Sequence, residues 1–415
     1  MYYYRYHDQL FASLLPNLPL EAAEMPAAQV PVVFLVSRDP QHSLAAYCVS
    51  SSRQLTAAEE DVTWLDPNRM SVEIPTLSRR IQRRISTRTL RAVNIQHPKW
   101  QSILEPPGTH AAKCRVNLLA VGDVGGTLLT ALKLLGRDCI EHIGICDLSE
   151  HTVARWAAEM GQVSWPWDYE SLPPVEPIPP ERLFDCDVVI FSATRSIPPV
   201  GSGIRDVRMT QFDANRTIIE AYARQARSSA FRGLFAILSD PVDPLCKAAY
   251  LASNMGPDGI WDGGGLRPEQ IQGFGLGVMN ARAAYIAKQD SRFRSFLEEG
   301  RSFGPHGQGL VIANSIAHYD DALSQELTQQ VLEANLRIRE LGFKPYVAPA
   351  LSSGALQLLL TLRGQWHCSS VCLGDVWFGV RNRFTPAGLE LETASLPDAL
   401  FARLQETETL LRAII

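Results

Sequence analysis

The sequence has no surplus of positive charge, no long apolar run and no clustered cysteines, and each shortage removes a class of function. Its 39 Lys and Arg stand against 44 Asp and Glu, a formal net charge of -5. The chain as a whole therefore lacks the field that polymeric nucleic acid or an anionic membrane selects. No apolar stretch approaches the ~18 to 20 residues needed to cross a bilayer. The opening MYYYRYHDQLFASLLPNLPLE has no continuous apolar segment followed by a small-residue cleavage site, so no secretory signal is expected and a cytoplasmic setting is. Of the eight cysteines only Cys368 and Cys372 are close, and no second Cys/His pair lies at zinc-site spacing. Buried free thiols are expected, and no metal site. The 28 Gly and 27 Pro follow no short period, which excludes a collagen-like fibre, and there is no internal repeat.

What is present is a globular composition, 46% hydrophobic and 20% charged over 415 residues, enough for two or three compact units. Residues 1–111 form a first, small α/β unit of unassigned role, with strands expected at 30–37 and 44–49. Within it LSRRIQRRISTRTLR sets Leu77, Ile81 and Ile85 at helical spacing among arginines, which reads as a solvated basic face over an apolar stripe. The breaker cluster Glu105-Pro106-Pro107-Gly108-Thr109 places a boundary there. From residue 112 to 245 apolar runs (VNLLAV, HIGICD, DVVIFSA, GLFAILSDP) alternate with helical stretches, the longest over 208–225. That alternation implies right-handed crossovers and a doubly wound parallel sheet of Rossmann type. The Pro-rich 171–181 reads as a surface loop. Residues 246–415 read as an α+β catalytic lobe, with helices over 278–299 and 324–341, a Gly-punctuated strand pair and a last helix.

Two motifs carry chemistry. The strand VNLLAV runs into Gly122-Asp123-Val124-Gly125-Gly126 and a helix, and Asp147 ends the next strand. A pyrophosphate can lie on backbone N–H groups at such a helix start only where no Cβ intervenes, and Asp147 suits ribose hydroxyls. Its charge opposes a 2′-phosphate, so NAD is expected over NADP. Ala120 stands where a glycine usually opens this turn. The second motif is Ser239-Asp240-Pro241-Val242-Asp243 at a strand end.

In order along the chain, DVVIFSAT, RMTQFDAN, LSDPVDPLC, GFGLGVMNARAAY and Gly304-Pro305-His306-Gly307 resemble successive motifs of the lactate/malate dehydrogenase family. The resemblance covers about 116–400. It implies hydride transfer between NAD and a 2-hydroxy or 2-oxo acid, with His306 as acid/base, Arg282 clamping the substrate carboxylate, and Arg208 polarising the carbonyl from a closing loop. Arg205 and Arg195 compete for that loop role. Asn215 is placed at the substrate, and Ala193 beside the cofactor with Gly122, Asp123, Val124, Gly125 and Asp147.

Two departures bear on mechanism. Met279 occupies the position, three before Arg282, where the family carries an Asp that supports the histidine. Asp240 replaces an asparagine. Either Asp240 serves His306 as the missing carboxylate, or hydroxy-acid chemistry has been lost and the chain is a non-catalytic, NAD-binding regulatory protein. The expected partner is a small carboxylic acid, with no nucleic acid and no membrane, and a homo-oligomer is left open.

Overall fold

The computed structural model describes residues 1–7, 9–24, 32–104, 113–195 and 207–415, side chains of 207–210 apart. The first unit contains β1 (Tyr2–Tyr6), β2 (Gln9–Ser13), β3 (Glu21–Ala23), β4 (Val32–Val36), β5 (Ala46–Cys48), α1 (Arg79–Ser86), β6 (Arg91–Asn94) and α2 (Trp100–Ile103). The expected boundary near 111 lies outside the described residues. Next come β7 (Cys114–Leu119), α3 (Asp123–Leu135), β8 (Ile140–Cys146), α4 (Glu150–Gly161), β9 (Val175–Pro177), β10 (Val188–Phe191), α5 (Val207–Ser228), β11 (Leu234–Ile237) and α6 (Val242–Asn254). The last third holds β12 (Ile271–Gly273), α7 (Leu276–Gln289), α8 (Phe296–Glu299), β13 (Arg301–Phe303), β14 (Val311–Ala313), α9 (Asp321–Glu340), α10 (Leu356–Leu362), β15 (His367–Leu373), β16 (Val376–Thr385), β17 (Gly388–Leu391) and α11 (Asp398–Arg412).

The strands β9-β8-β7-β10-β11-β12 lie side by side and parallel, the doubly wound order with its reversal between β7 and β10. They read as unbroken apolar runs because both faces are covered. Leu128, Leu129 and Leu132 of α3 pack with Leu358 and Leu359 of α10 on one side. Ile219 and Ala223 of α5 pack with Leu245 and Ala249 of α6 on the other. A ligand crevice is expected where the order reverses, at the carboxyl ends of the strands.

Four expectations need correction. The Pro-rich 171–181 is not wholly loop: β9 forms the outer edge of the sheet, where prolines cost no ladder bond. The helix expected over 278–299 stops at Gln289, where Asp290 leaves helical geometry and caps the following turn. The boundary at 245 falls inside α6, which starts at Val242 directly after β11. Finally, the expected strand pair is a three-stranded meander that does not stand apart from the other units, while β13 and β14 form a two-stranded sheet of their own. Gly273 pairs with Ser370 and Leu389 with Tyr47, so β12, the β15-β16-β17 meander and the first unit share one 15-stranded sheet.

The first unit is fastened by polar contacts as well. Asp66 accepts the Leu396 N–H at 2.9 Å, Arg69 pairs with Asp398 at 2.7 Å, and Glu269 accepts the Ala45 N–H at 3.2 Å. At the β15–β16 turn Gly374 adopts φ +63°, and a Cβ there would sit 1.9 Å from the Glu60 carbonyl oxygen. Only glycine lets the two parts approach this closely.

Candidate active site at the carboxyl ends of the strands

The turn after β7 keeps its shape without the usual first glycine because Ala120 takes a left-handed φ of +70°, at a strain of about 1–2 kcal/mol. Gly125 is required by packing, since its Cβ would lie 2.0 Å from the Ala120 carbonyl oxygen. A Cβ on Gly122 would meet nothing within 4 Å, and no side chain caps the start of α3. The first turn of α3 is thus open toward solvent, as an anion cradle must be. Asp123, the first residue of α3, pairs with Lys344 at 3.1 Å, so its charge is offset beside that cradle. Val124 is half-buried on the same turn. Asp147 accepts the Val121 N–H at 2.9 Å and the Ser149 N–H at 3.0 Å, one on each oxygen, which fixes its carboxylate and leaves further lone pairs. The residues present fit a dinucleotide with free ribose hydroxyls.

Across the crevice, Ser239 donates to the Ala193 carbonyl at 2.6 Å and so ties the end of β11 to the end of β10. Asp240 follows, joined to Pro241 by a cis peptide bond. His306 sits in the turn Gly304-Pro305-His306-Gly307, and its Nδ1 lies 3.3 Å from Oδ1 of Asp240. The imidazole is 18% exposed and the carboxylate 48%, so the pair is seated in the wall with its acid end toward the crevice. Arg282, on α7, donates to the Met279 sulfur at 3.7 Å and to the Val331 carbonyl at 3.4 Å. Burial lowers its guanidinium below the usual range, and the charge of Asp240 opposes that shift. His306, Asp240 and Arg282 therefore share one charged cluster.

Asn215 has a different task from the substrate contact expected of it. Its amide donates to the Asp240 carbonyl at 2.7 Å and to Thr194 Oγ at 3.1 Å, while its oxygen accepts the Arg195 N–H at 2.9 Å. Both donors are spent on backbone and loop, so Asn215 positions Asp240 and the end of β10. Arg195 is exposed at that strand end. Arg205 lies outside the described residues. Arg208 is the second residue of α5, and its side chain is likewise outside the description.

One residue of the site was quoted in a motif and given no role. Asp243, in the first turn of α6, is fully buried, accepts the Ser370 hydroxyl at 2.5 Å and lies against the backbone of His306. Burial pushes its carboxyl up to about 6. Its spacing from Asp240 was visible in S-D-P-V-D, but Ser370 arrives from β15 and nothing local announces it.

No family model matches the chain, and no curated protein resembles it closely enough in sequence to be a relative. Solved structures do match. A lactate dehydrogenase from a Medee basin deep-sea metagenome library superimposes with TM-score 0.57 at 17% identity, over 73% of this chain and 98% of the other. The minor L-lactate dehydrogenase of Enterococcus mundtii gives 0.58 at 18%, over 73% and 97%. The malate dehydrogenase of Archaeoglobus fulgidus, solved with NADH, gives 0.59 at 16%, over 72% and 98%. The chain shares the fold of the lactate and malate dehydrogenases. About a quarter of it has no counterpart in them. Among the described residues no helix is long and apolar enough to cross a membrane.

Proposed function

We propose that this protein is an NAD-dependent oxidoreductase acting on a 2-hydroxy or 2-oxo acid of lactate or malate type. The observation that carries the reading is the His306–Asp240 pair, 3.3 Å apart at the carboxyl ends of the strands, in one cluster with Arg282. Bound NAD supplies the hydride acceptor or donor. The chain's own residues do the rest. With Nδ1 against a carboxylate, His306 uses Nε2 to hold the proton that joins or leaves the substrate oxygen, and Asp240 holds the ring in that orientation. Arg282 takes the substrate carboxylate as a bidentate partner. Gly122 leaves the pyrophosphate room, and Asp147 favours NAD over a 2′-phosphorylated cofactor.

The rival reading, a non-catalytic NAD-binding protein, draws on two facts. Met279 contributes a thioether where a carboxylate would orient the histidine, and Asp240 places a negative charge beside the arginine meant for substrate. Calorimetric titration with NADH and NADPH, followed by a spectrophotometric panel of 2-oxo acids, separates the two. The dehydrogenase reading expects NADH to bind more tightly than NADPH and at least one acid to be reduced. NADH binding without any turnover supports the rival, and tighter NADPH binding or no NADH binding at millimolar concentration overturns both.

A further inference from the structure

A cavity of about 1390 Å³ lies at the opposite, amino ends of the same strands. Its walls come from distant parts of the chain: 87–91 of the first unit, the approaches to β7, β10 and β11, the segments 267–270 and 361–364, and the turn from Thr385 to Leu389. Nine Lys and Arg side chains line it against three acids, a local excess in a protein whose net charge is -5. Several of the arginines have carboxylate partners, as Arg115 has Asp187 and Arg383 has Glu390. The deepest do not balance. Arg91 is 8% exposed; its Nη2 donates to the Ile103 carbonyl, and its Nε has no hydrogen-bond partner among the described residues. Burial lowers its guanidinium to about 10. The carboxylate nearest in influence, Glu269, also serves Arg267 at 3.1 Å and the Ala45 N–H. The Nε of Arg267 is off line for that bond and is likewise buried without a hydrogen-bond partner. The buried guanidinium of Arg91 and the partly exposed one of Arg267 therefore share one buried acid.

Beside this charge the cavity is apolar. Phe184 and Phe231 meet edge to face with centroids 5.3 Å apart, and Leu362, Phe384 and Leu389 continue the surface. Buried cations without counter-charge are costly, and planar guanidinium forks match phosphate oxygens two at a time. The volume exceeds the ~300 to 1,000 Å³ of ordinary small-ligand pockets, so a bare inorganic anion would leave most of it empty.

We propose that this cavity is a second small-molecule site, separate from the dehydrogenase crevice, and that it takes a phosphorylated organic anion carrying a sizeable apolar group. The phosphate faces Arg91 and Arg267, and the apolar part lies over Phe184 and Phe231. Two kinds of molecule share that chemistry, a nucleotide with its base and an alkyl phosphate with its chain.

The test is calorimetry on the full chain, using ADP, dodecyl phosphate below its micelle concentration, and inorganic pyrophosphate as probes, with the variants below assigning the binding to this cavity. At least one organic phosphate should bind tenfold or more tightly than pyrophosphate, and the stronger of the two identifies the apolar part. Arg91→Gln should weaken that binding at least tenfold. Because Arg91 is buried, the exposed lining residue Arg232→Glu serves as the second variant, with an expected loss of about fivefold and unchanged melting. The proposal is overturned if no probe binds at millimolar concentration, if pyrophosphate binds as well as both organic phosphates, or if neither variant weakens binding.

Discussion

The two ends of the parallel sheet solve opposite electrostatic problems with the same strands. At the carboxyl ends charge is matched locally: Asp240 stands between His306 and Arg282, and Asp123 is offset by Lys344. Asp240 closely follows β11 and His306 follows β13, while Arg282 rides on α7 and Asp123 opens α3, so strand ends and helices together set their positions. At the amino ends cations outnumber acids, and the first unit closes over them with Arg91, brought in by β6. A dehydrogenase fold needs only the first of these arrangements. The second is closed by the first unit, which joins the sheet where β5 pairs with β17.

Variants at one end should leave the other untouched, and the largest effect is expected at His306. His306→Asn should lower turnover of any accepted acid by ~10²- to 10⁴-fold, the usual worth of a general acid/base, while NADH affinity stays within twofold. Steady-state kinetics beside calorimetry checks both halves, and a comparable loss of NADH affinity would mean a collapsed crevice instead. Arg282→Met comes next. Losing a bidentate charged pair in a closed site costs on the order of 3–5 kcal/mol in catalytic efficiency, and esters or amides of the substrate should already be rejected by wild type. An effect of only a few-fold would make Arg282 structural.

The ends should also differ in how pH acts on stability. Asp243 is held near 6 in the fold by burial, above the ~3.9 of an unfolded aspartate. The fold prefers it protonated, so its contribution is full below about pH 4 and lost as pH rises through 6. Asp243→Asn should therefore gain on wild type by about 2–3 kcal/mol between pH 4 and pH 7. At the other end His97 is lowered to about 4, first by burial and then by Arg267 and Lys99. It favours the fold above ~6.5, and that contribution is lost as pH falls toward 4. His97→Asn should flatten the acid limb of the stability curve that Asp243→Asn steepens. Urea melts across pH 4 to 8 read both slopes, and equal slopes in the two variants would contradict the assignment.

Much of the carboxyl end was legible because its residues sit in consecutive motifs. The run from VNLLAV to Asp147 predicts strand, turn, helix and strand, and the structure supplies them, with Ala120 taking a glycine-like φ. His306, Asp240 and Arg282 were drawn together by motif order, and the fold does bring them into one cluster. Asn215 was misjudged because sequence shows an amide's presence and not what spends its donors. The amino end was invisible for a deeper reason. Arg91 is far in sequence from Arg267 and Glu269 and meets them where the first unit docks, by the β5–β17 contact of one residue pair and the Ala45 bond to Glu269, which no periodicity announces. The arginine-rich stretch was read as a solvated face over an apolar stripe, and for α1 it is one, with Ile81 and Ile85 buried. The arginine that matters most lies just past the helix, at the start of β6.

The central claim is that Asp240 has taken over the support of His306 left vacant at Met279. Its most direct test is the turnover of NADH-dependent reduction for wild type, Asp240→Asn, and Asp240→Asn combined with Met279→Asp. The single variant recreates an amide but strips His306 of this carboxylate, so turnover should fall. The double variant should recover activity. A single Asp240→Asn variant that matches or exceeds the wild-type rate would contradict the account.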